Sequence, residues 1–194
     1  RLVWGVFVAD RLYNPAVALK LPEGETIVPN SIAFDTTPEN AMIYVLTGPN
    51  RGGKSVITCA VGLCQVMLQL GMFLPADTCR ISPADGIYTH FPTGADDTID
   101  KGRLGEECAR LGEIFDAVTA DSLVLLDESL SSTGSFEASY IAAEVLMGLC
   151  RVGCRCLFST HLHELAAEID RINAQSAAEG GARVDTPLAG IGGG

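Results

Sequence analysis

Lys54 and Ser55 close the run Gly48-Pro49-Asn50-Arg51-Gly52-Gly53-Lys54-Ser55, which fits G-x-x-x-x-G-K-[S/T]. Glycines at this spacing let the backbone curl until successive N–H groups converge on phosphate oxygens, and a helix starting at the lysine adds its positive end. Lys54 is placed to reach the β- and γ-phosphates of a nucleotide, and the Ser55 hydroxyl to ligate Mg²⁺. Val56, the next residue, completes the expected contact set for ATP. A Gly-rich turn followed by Lys-Ser arises by chance in only about one chain of this size in a hundred.

A second group lies at Leu123-Val124-Leu125-Leu126-Asp127-Glu128, an apolar run ending in two acids. In open α/β sheets ligands gather at the carboxyl ends of strands. Asp127 is therefore the candidate to hold magnesium through its water shell, and Glu128 the candidate to polarise the water that attacks the γ-phosphate. A third run, Cys156 to His161, ends in a histidine able to donate a hydrogen bond to that phosphate. Two other readings stay open for His161: a zinc site with His163 and Glu164, and an inert helix cap. Zinc is the poorer fit, because Ala167 stands where a zincin helix needs histidine.

These residues need elements to hold them. Ala41 to Thr47 is an apolar run that reads as a buried strand, and Lys54 to Leu70 as a helix with Val56, Ala60, Leu63, Met67 and Leu70 on one face. The periodicity predicts helices over Arg103–Thr119, Phe136–Leu149 and Leu162–Ala174, with strands over Ser122–Leu126 and Arg155–Ser159. Alternation of this kind argues for a parallel sheet with helices on its faces. Before it, Val3 to Val8, Ile27 to Val28 and Ile32 to Phe34 read as short strands joined by turns. Thr78 to His90 reads as a pair of short strands around Pro83-Ala84-Asp85-Gly86. From Gln175 the Ala/Gly-rich tail offers little to bury, so residues 1–174 are expected to form the domain and 175–194 a disordered or truncated tail.

Composition bounds the role. With 24 acids against 13 bases the net charge is −11, which argues against this stretch as the main electrostatic contact to nucleic acid. Seven cysteines at scattered positions form no disulfide framework and point to a reducing, cytoplasmic setting. The opening at Arg1, with no basic-then-apolar leader, reads as a piece of something longer. Val56 to Ala76 carries no charge, yet Gln65, Gln69, Gly62 and Gly71 favour a buried helix over a membrane span.

Together the motifs resemble those of the ATPase domain of the MutS family of DNA mismatch-repair proteins. The likeness rests on Thr47 to Asn50 with the doubled Gly52-Gly53, on Phe73-Leu74-Pro75-Ala76, on Leu123 to Glu128, on Ser159 to Leu165, and on Val28-Pro29-Asn30-Ser31-Ile32. It covers about Tyr13 to Leu165. The resemblance implies a P-loop NTPase of ABC-ATPase type, a mainly parallel sheet flanked by helices with an N-terminal antiparallel β portion. It implies ATP and Mg²⁺ as cofactors, Asn30 near the adenine, and Lys54, Glu128 and His161 as the catalytic set. It also implies a homodimer or heterodimer with composite ATP sites, and DNA held by domains outside this chain.

The chain departs from the family pattern in two places. Gly102, Arg103, Leu104 and Gly105 stand where the family has Ser-Thr-Phe-Met, whose serine is offered to the partner's γ-phosphate. Leu130-Ser131-Ser132-Thr133 stands where the family usually runs Gly-Arg-Gly-Thr. Two alternatives follow: a nucleotide-sensing module with little turnover, and the ATPase subunit of an ABC-type transporter. A Leu-Ser-Gly-Gly-Gln-like stretch, the sequence marker of the transporter class, is absent.

Overall fold

The computed structural model describes residues 5–48, 53–91, 101–131 and 134–186. In chain order the elements are β1 (Phe7–Leu12), α1 (Pro15–Ala18), β2 (Asn30–Phe34), β3 (Ile43–Thr47), α2 (Lys54–Gln69), β4 (Thr78–Ile81), β5 (Ile87–His90), α3 (Lys101–Ala117), β6 (Leu123–Asp127), α4 (Ser135–Val152), β7 (Arg155–Thr160), α5 (Leu165–Ala178) and β8 (Val184–Asp185). They build two sheets, a three-stranded antiparallel one ordered β2-β1-β4 and a five-stranded parallel one ordered β5-β6-β7-β3-β8.

The central strands are apolar on both faces, as a doubly covered parallel sheet requires. Alternate residues feed two cores. Ile43, Val45, Val124, Leu126, Cys156 and Phe158 pack with α3, α4 and α5. Tyr44, Leu46, Leu123, Leu125 and Leu157 pack with α2 and the antiparallel sheet, whose Phe7 and Phe34 meet edge to face at 5.8 Å. The molecule is thus layered, with helices on one face of the parallel sheet and α2 plus the small sheet on the other. Gly62 lets α2 sit close on β6, since a Cβ there would stand 2.7 Å from Leu125 Cδ1. That approach carries the start of α2 toward the end of β6.

Several expectations are corrected. Among the described residues the first strand is Phe7–Leu12, running on past the expected Val3–Val8, of which Val3 and Trp4 lie outside the described residues, and Ile27–Val28 forms no strand. The two short strands expected within Thr78–His90 are present as β4 and β5 and join different sheets, β4 antiparallel to β1 and β5 parallel to β6. α5 begins at Leu165 because Leu162 N–H is taken by Thr160 Oγ1 in a turn after β7. The segment from Gln175, expected to be disordered or truncated, continues α5 to Ala178 and adds β8 beside β3. Asn173 explains this return, donating to Val184 O at 2.7 Å and accepting from Val184 N at 2.8 Å. Residues 187–194 of that tail lie outside the described residues.

Candidate nucleotide site

The site is assembled where β3, β7 and β6 end side by side. β7 lies between the other two, and the register puts Thr47 opposite Thr160 and Ser159 opposite Asp127. Segments distant in sequence thereby present polar groups along one edge, the carboxyl end of the sheet.

α2 begins there. Its N-cap is Gly53 at φ 75°, a left-handed conformation that suits glycine, and among the described residues no side chain caps the first turn. The initial N–H groups of a helix have no intrahelical acceptor, so this end is suited to bind an anion. Lys54 is buried, at 6% exposure, and its Nζ donates to Gly48 O at 2.5 Å and toward Thr160 O at 3.4 Å. It also forms an ion pair with Glu128 Oε1 at 3.0 Å. The ammonium is satisfied by the ends of β3, β7 and β6 together, which fixes a strongly hydrated charge in a nearly closed site.

Beside it the Ser55 hydroxyl donates to Asp127 Oδ2 at 2.6 Å, and Ser159 Oγ donates to Asp127 Oδ1 at 2.5 Å. Both carboxylate oxygens of Asp127 are thereby oriented. A hydroxyl and a carboxylate side by side form a small hard-oxygen donor set of the kind Mg²⁺ uses, since that ion keeps most of its remaining positions for water and phosphate. The residues present therefore fit the expected ion. The other carboxylate, Glu128, is held twice: by Lys54, and by His161 Nδ1 at 2.7 Å from Oε2.

Glu128 adopts φ 51° and Leu130 φ 67°, both left-handed conformations costly for non-glycine residues, roughly 1 to 3 kcal/mol each. Leu130 stands where the resemblance places a glycine, and its side chain is fully buried in the core. Burial offsets what the backbone loses.

Next to the start of α2 is a cavity of about 220 Å³ lined by Tyr13, Asn14, Ile27, Val28, Asn30 and Val56, among others. Asn14 braces it, accepting from Ala16 N and Val17 N to cap α1 while donating to Val56 O at 3.1 Å.

Of the residues singled out from sequence, Lys54, Ser55, Asp127, Glu128 and His161 come together, with Gly48 and Gly53 adjoining. Val56 and Asn30 line the neighbouring cavity. Pro49, Asn50, Arg51 and Gly52 lie outside the described residues. Sequence reading passed over Ser159 and Asn14. Ser159 adjoins the noted Thr160-His161, but its role depends on the register with β6. Asn14-Pro15 was legible only as a turn. His161 turns to Glu128, and among the described residues no cluster of three or more His, Cys, Asp or Glu could hold a metal. No helix among those residues is long and apolar enough to cross a membrane.

Comparison with known proteins gives the arrangement a context. The family described as MutS domain V matches residues 44–183, well over half of the chain. The chain is 37% identical over 164 residues to the DNA mismatch repair protein MutS of Salinibacter ruber, covering 82% of this chain and 18% of that protein. It is 37% identical over 152 residues to the DNA mismatch repair protein Msh6 of Gallus gallus, covering 75% and 11%. It is 42% identical over 142 residues to the probable DNA mismatch repair protein Msh6 of Drosophila melanogaster, covering 72% and 12%. The chain thus spans less than a fifth of the length of these relatives. The matched segment runs from inside β3 to the edge of β8 and includes Lys54, Ser55, Asp127, Glu128 and His161, so this chain belongs to the MutS family and corresponds to its domain V.

Proposed function

We propose that this chain is the ATP-binding and ATP-hydrolysing dimerisation domain of a MutS-like protein, a P-loop ATPase of ABC type. It would couple nucleotide state to DNA binding by domains outside the chain. The observation that carries the reading is the meeting of Lys54, Ser55, Asp127 and Glu128 at one sheet edge beside the start of α2. The family membership supports it, as does the position of β7 between β3 and β6.

In this reading the N–H groups of α2 and Lys54 take the triphosphate, and the adenine enters the cavity between Tyr13, Asn30 and Val56. Ser55 and Asp127 would hold Mg²⁺. When bound, that ion supplies positive charge to phosphate oxygens and orients them. Glu128 would accept a proton from the attacking water as the new P–O bond forms and the bond to the ADP oxygen breaks. His161, at 2.7 Å, orients the Glu128 carboxylate and would donate a hydrogen bond to the γ-phosphate. Lys54 neutralises charge as it shifts toward the leaving oxygen.

The test is steady-state phosphate release by the full-length protein, with and without DNA. Glu128→Ala should retain nucleotide and lose turnover, and Lys54→Ala should lose affinity. Undiminished turnover in Glu128→Ala would remove Glu128 from its role, and a wild-type protein that binds ATP without releasing phosphate would make the chain a nucleotide sensor.

A further inference from the structure

We infer that Glu107 and His90 are positioning residues for Glu128, acting as tethers on the turn that carries it; the inference rests on the hydrolytic role proposed above for Glu128.

Consecutive residues after β6 are each held by a different element. Glu128 N–H donates to Ser159 O of β7 at 2.9 Å. Ser129 Oγ shares a 2.6 Å hydrogen bond with Nδ1 of His90, the last residue of β5. Leu130 N–H donates to Glu107 Oε2, on α3, at 2.8 Å. Within this turn Glu128 and Leu130 both hold left-handed φ angles. A backbone of that kind relaxes unless its surroundings over-determine it, and the direction of the Glu128 carboxylate follows from its own φ and ψ. The tethers supply that constraint.

Glu107 is unusual in its own right. It is a carboxylate at 5% exposure, its Oε1 accepts no hydrogen bond among the described residues, and the cation near it is Arg103 Nε at 3.9 Å. A buried acid is costly to keep unless its acceptor role matters. Here that role is a charge-assisted bond to a main-chain N–H two residues beyond Glu128. Because Glu107 belongs to α3, a displacement of that helix pulls on the turn through this carboxylate. Glu113, farther along the same helix, pairs with Arg110 at the surface and serves as a control.

The experiment uses the full-length protein carrying Glu107→Ala, Glu107→Gln, His90→Ala or Glu113→Gln, with kcat, ATP affinity and amide deuterium exchange at Leu130 measured for each. Glu107→Ala is expected to lower kcat about tenfold with ATP affinity within about threefold of wild type, and to speed exchange at Leu130. Glu107→Gln keeps a carbonyl oxygen for the Leu130 N–H and should restore at least half of kcat. His90→Ala should lower kcat about threefold at unchanged affinity, and Glu113→Gln should match wild type. A folded Glu107→Ala protein with kcat within twofold of wild type overturns the inference, as does Glu107→Gln being as impaired as Glu107→Ala. If Glu107→Ala does not fold, His90→Ala decides: lower kcat at constant affinity supports the tethers, and unchanged kcat overturns them. Failure of the underlying reading looks different, since full turnover in Glu128→Ala would remove Glu128 from catalysis while leaving exchange at Leu130 sensitive to Glu107.

Discussion

Replacing Glu128 by glutamine should make nucleotide bind more tightly while abolishing its turnover. Lys54 Nζ stands 3.0 Å from Glu128 Oε1, with the two side chains only 7% and 20% exposed. At an effective dielectric constant of about 20, that separation corresponds to a gross attraction of about 5 kcal/mol. Desolvation of both groups cancels much of it, leaving a net worth of roughly 1 to 3 kcal/mol. A triphosphate must take Lys54 away from this partner and must tolerate the Glu128 charge nearby. Glu128→Gln preserves shape, removes the competing charge and removes the repulsion. ATP affinity should therefore rise about 5- to 150-fold, the range that 1 to 3 kcal/mol spans. Phosphate release should fall at least about 100-fold, the usual worth of a positioned general base. Titration calorimetry in magnesium, paired with single-turnover phosphate release, measures both. In the absence of nucleotide the variant should melt lower than wild type, because buried Lys54 keeps neutral carbonyl acceptors but loses its compensating charge, and saturating nucleotide should close the gap. Affinity equal to or weaker than wild type would refute the competition, whatever happens to turnover.

Three further outcomes are expected. Arg155 is fully buried, donating to the carbonyls of Val6, Ser82, Pro83 and Asp121 and to Gln65 Oε1; Arg155→Ala strands these acceptors and should cost about 3 kcal/mol or more in denaturant unfolding, whereas a loss below about 1 kcal/mol would show that water replaces the guanidinium. Burial holds the His90 imidazole below its ordinary value of 6.5, with Arg110 adding to the effect and Glu107 opposing it. As pH falls below about 6.5 the unfolded chain therefore gains a proton that the folded protein refuses, and stability drops until pH reaches the lowered folded value. His90→Gln should flatten that slope, and an unchanged slope would dismiss His90 as its source. Burial pushes the thiols of Cys64 and Cys154 up to about 12 and that of Cys150 to about 11, and raises Cys156 as well, whereas Cys79 and Cys108 are exposed. A thiol reagent at neutral pH should modify Cys79 and Cys108 quickly and leave the other four until unfolding; rapid native labelling of Cys154 or Cys156 would contradict the packing.

The chemistry was legible where one short stretch contains both the reactive group and the element that aims it. Lys54 and Ser55 follow a strand-like run and open a periodic helix, and Asp127 ends an apolar strand, so local pattern was sufficient to nominate them. The order of the segment after Gln175 was not legible, for the opposite reason. Gln175 to Asp185 has no apolar periodicity, and its order comes from Asn173 pairing with Val184 and from Ser176 Oγ donating to Ala182 O at 2.6 Å, with β3 supplying the edge. Helix α1, only four residues long, depends on the single Asn14 cap.

By itself the sequence determined which side chains could handle a phosphate, that strands and helices alternate, and that the chain resembles MutS ATPase domains. Those properties reside in residue identity and in spacings of a few residues. Only the tertiary structure decided that Ser159 orients Asp127, that Lys54 rests on Glu128, and that Glu107 and His90 hold the turn between β6 and α4. Each of these contacts joins elements whose separation is fixed by strand order and register. Strand order is selected by burying both faces of the sheet at once, a condition imposed by the whole chain rather than by any one segment of it.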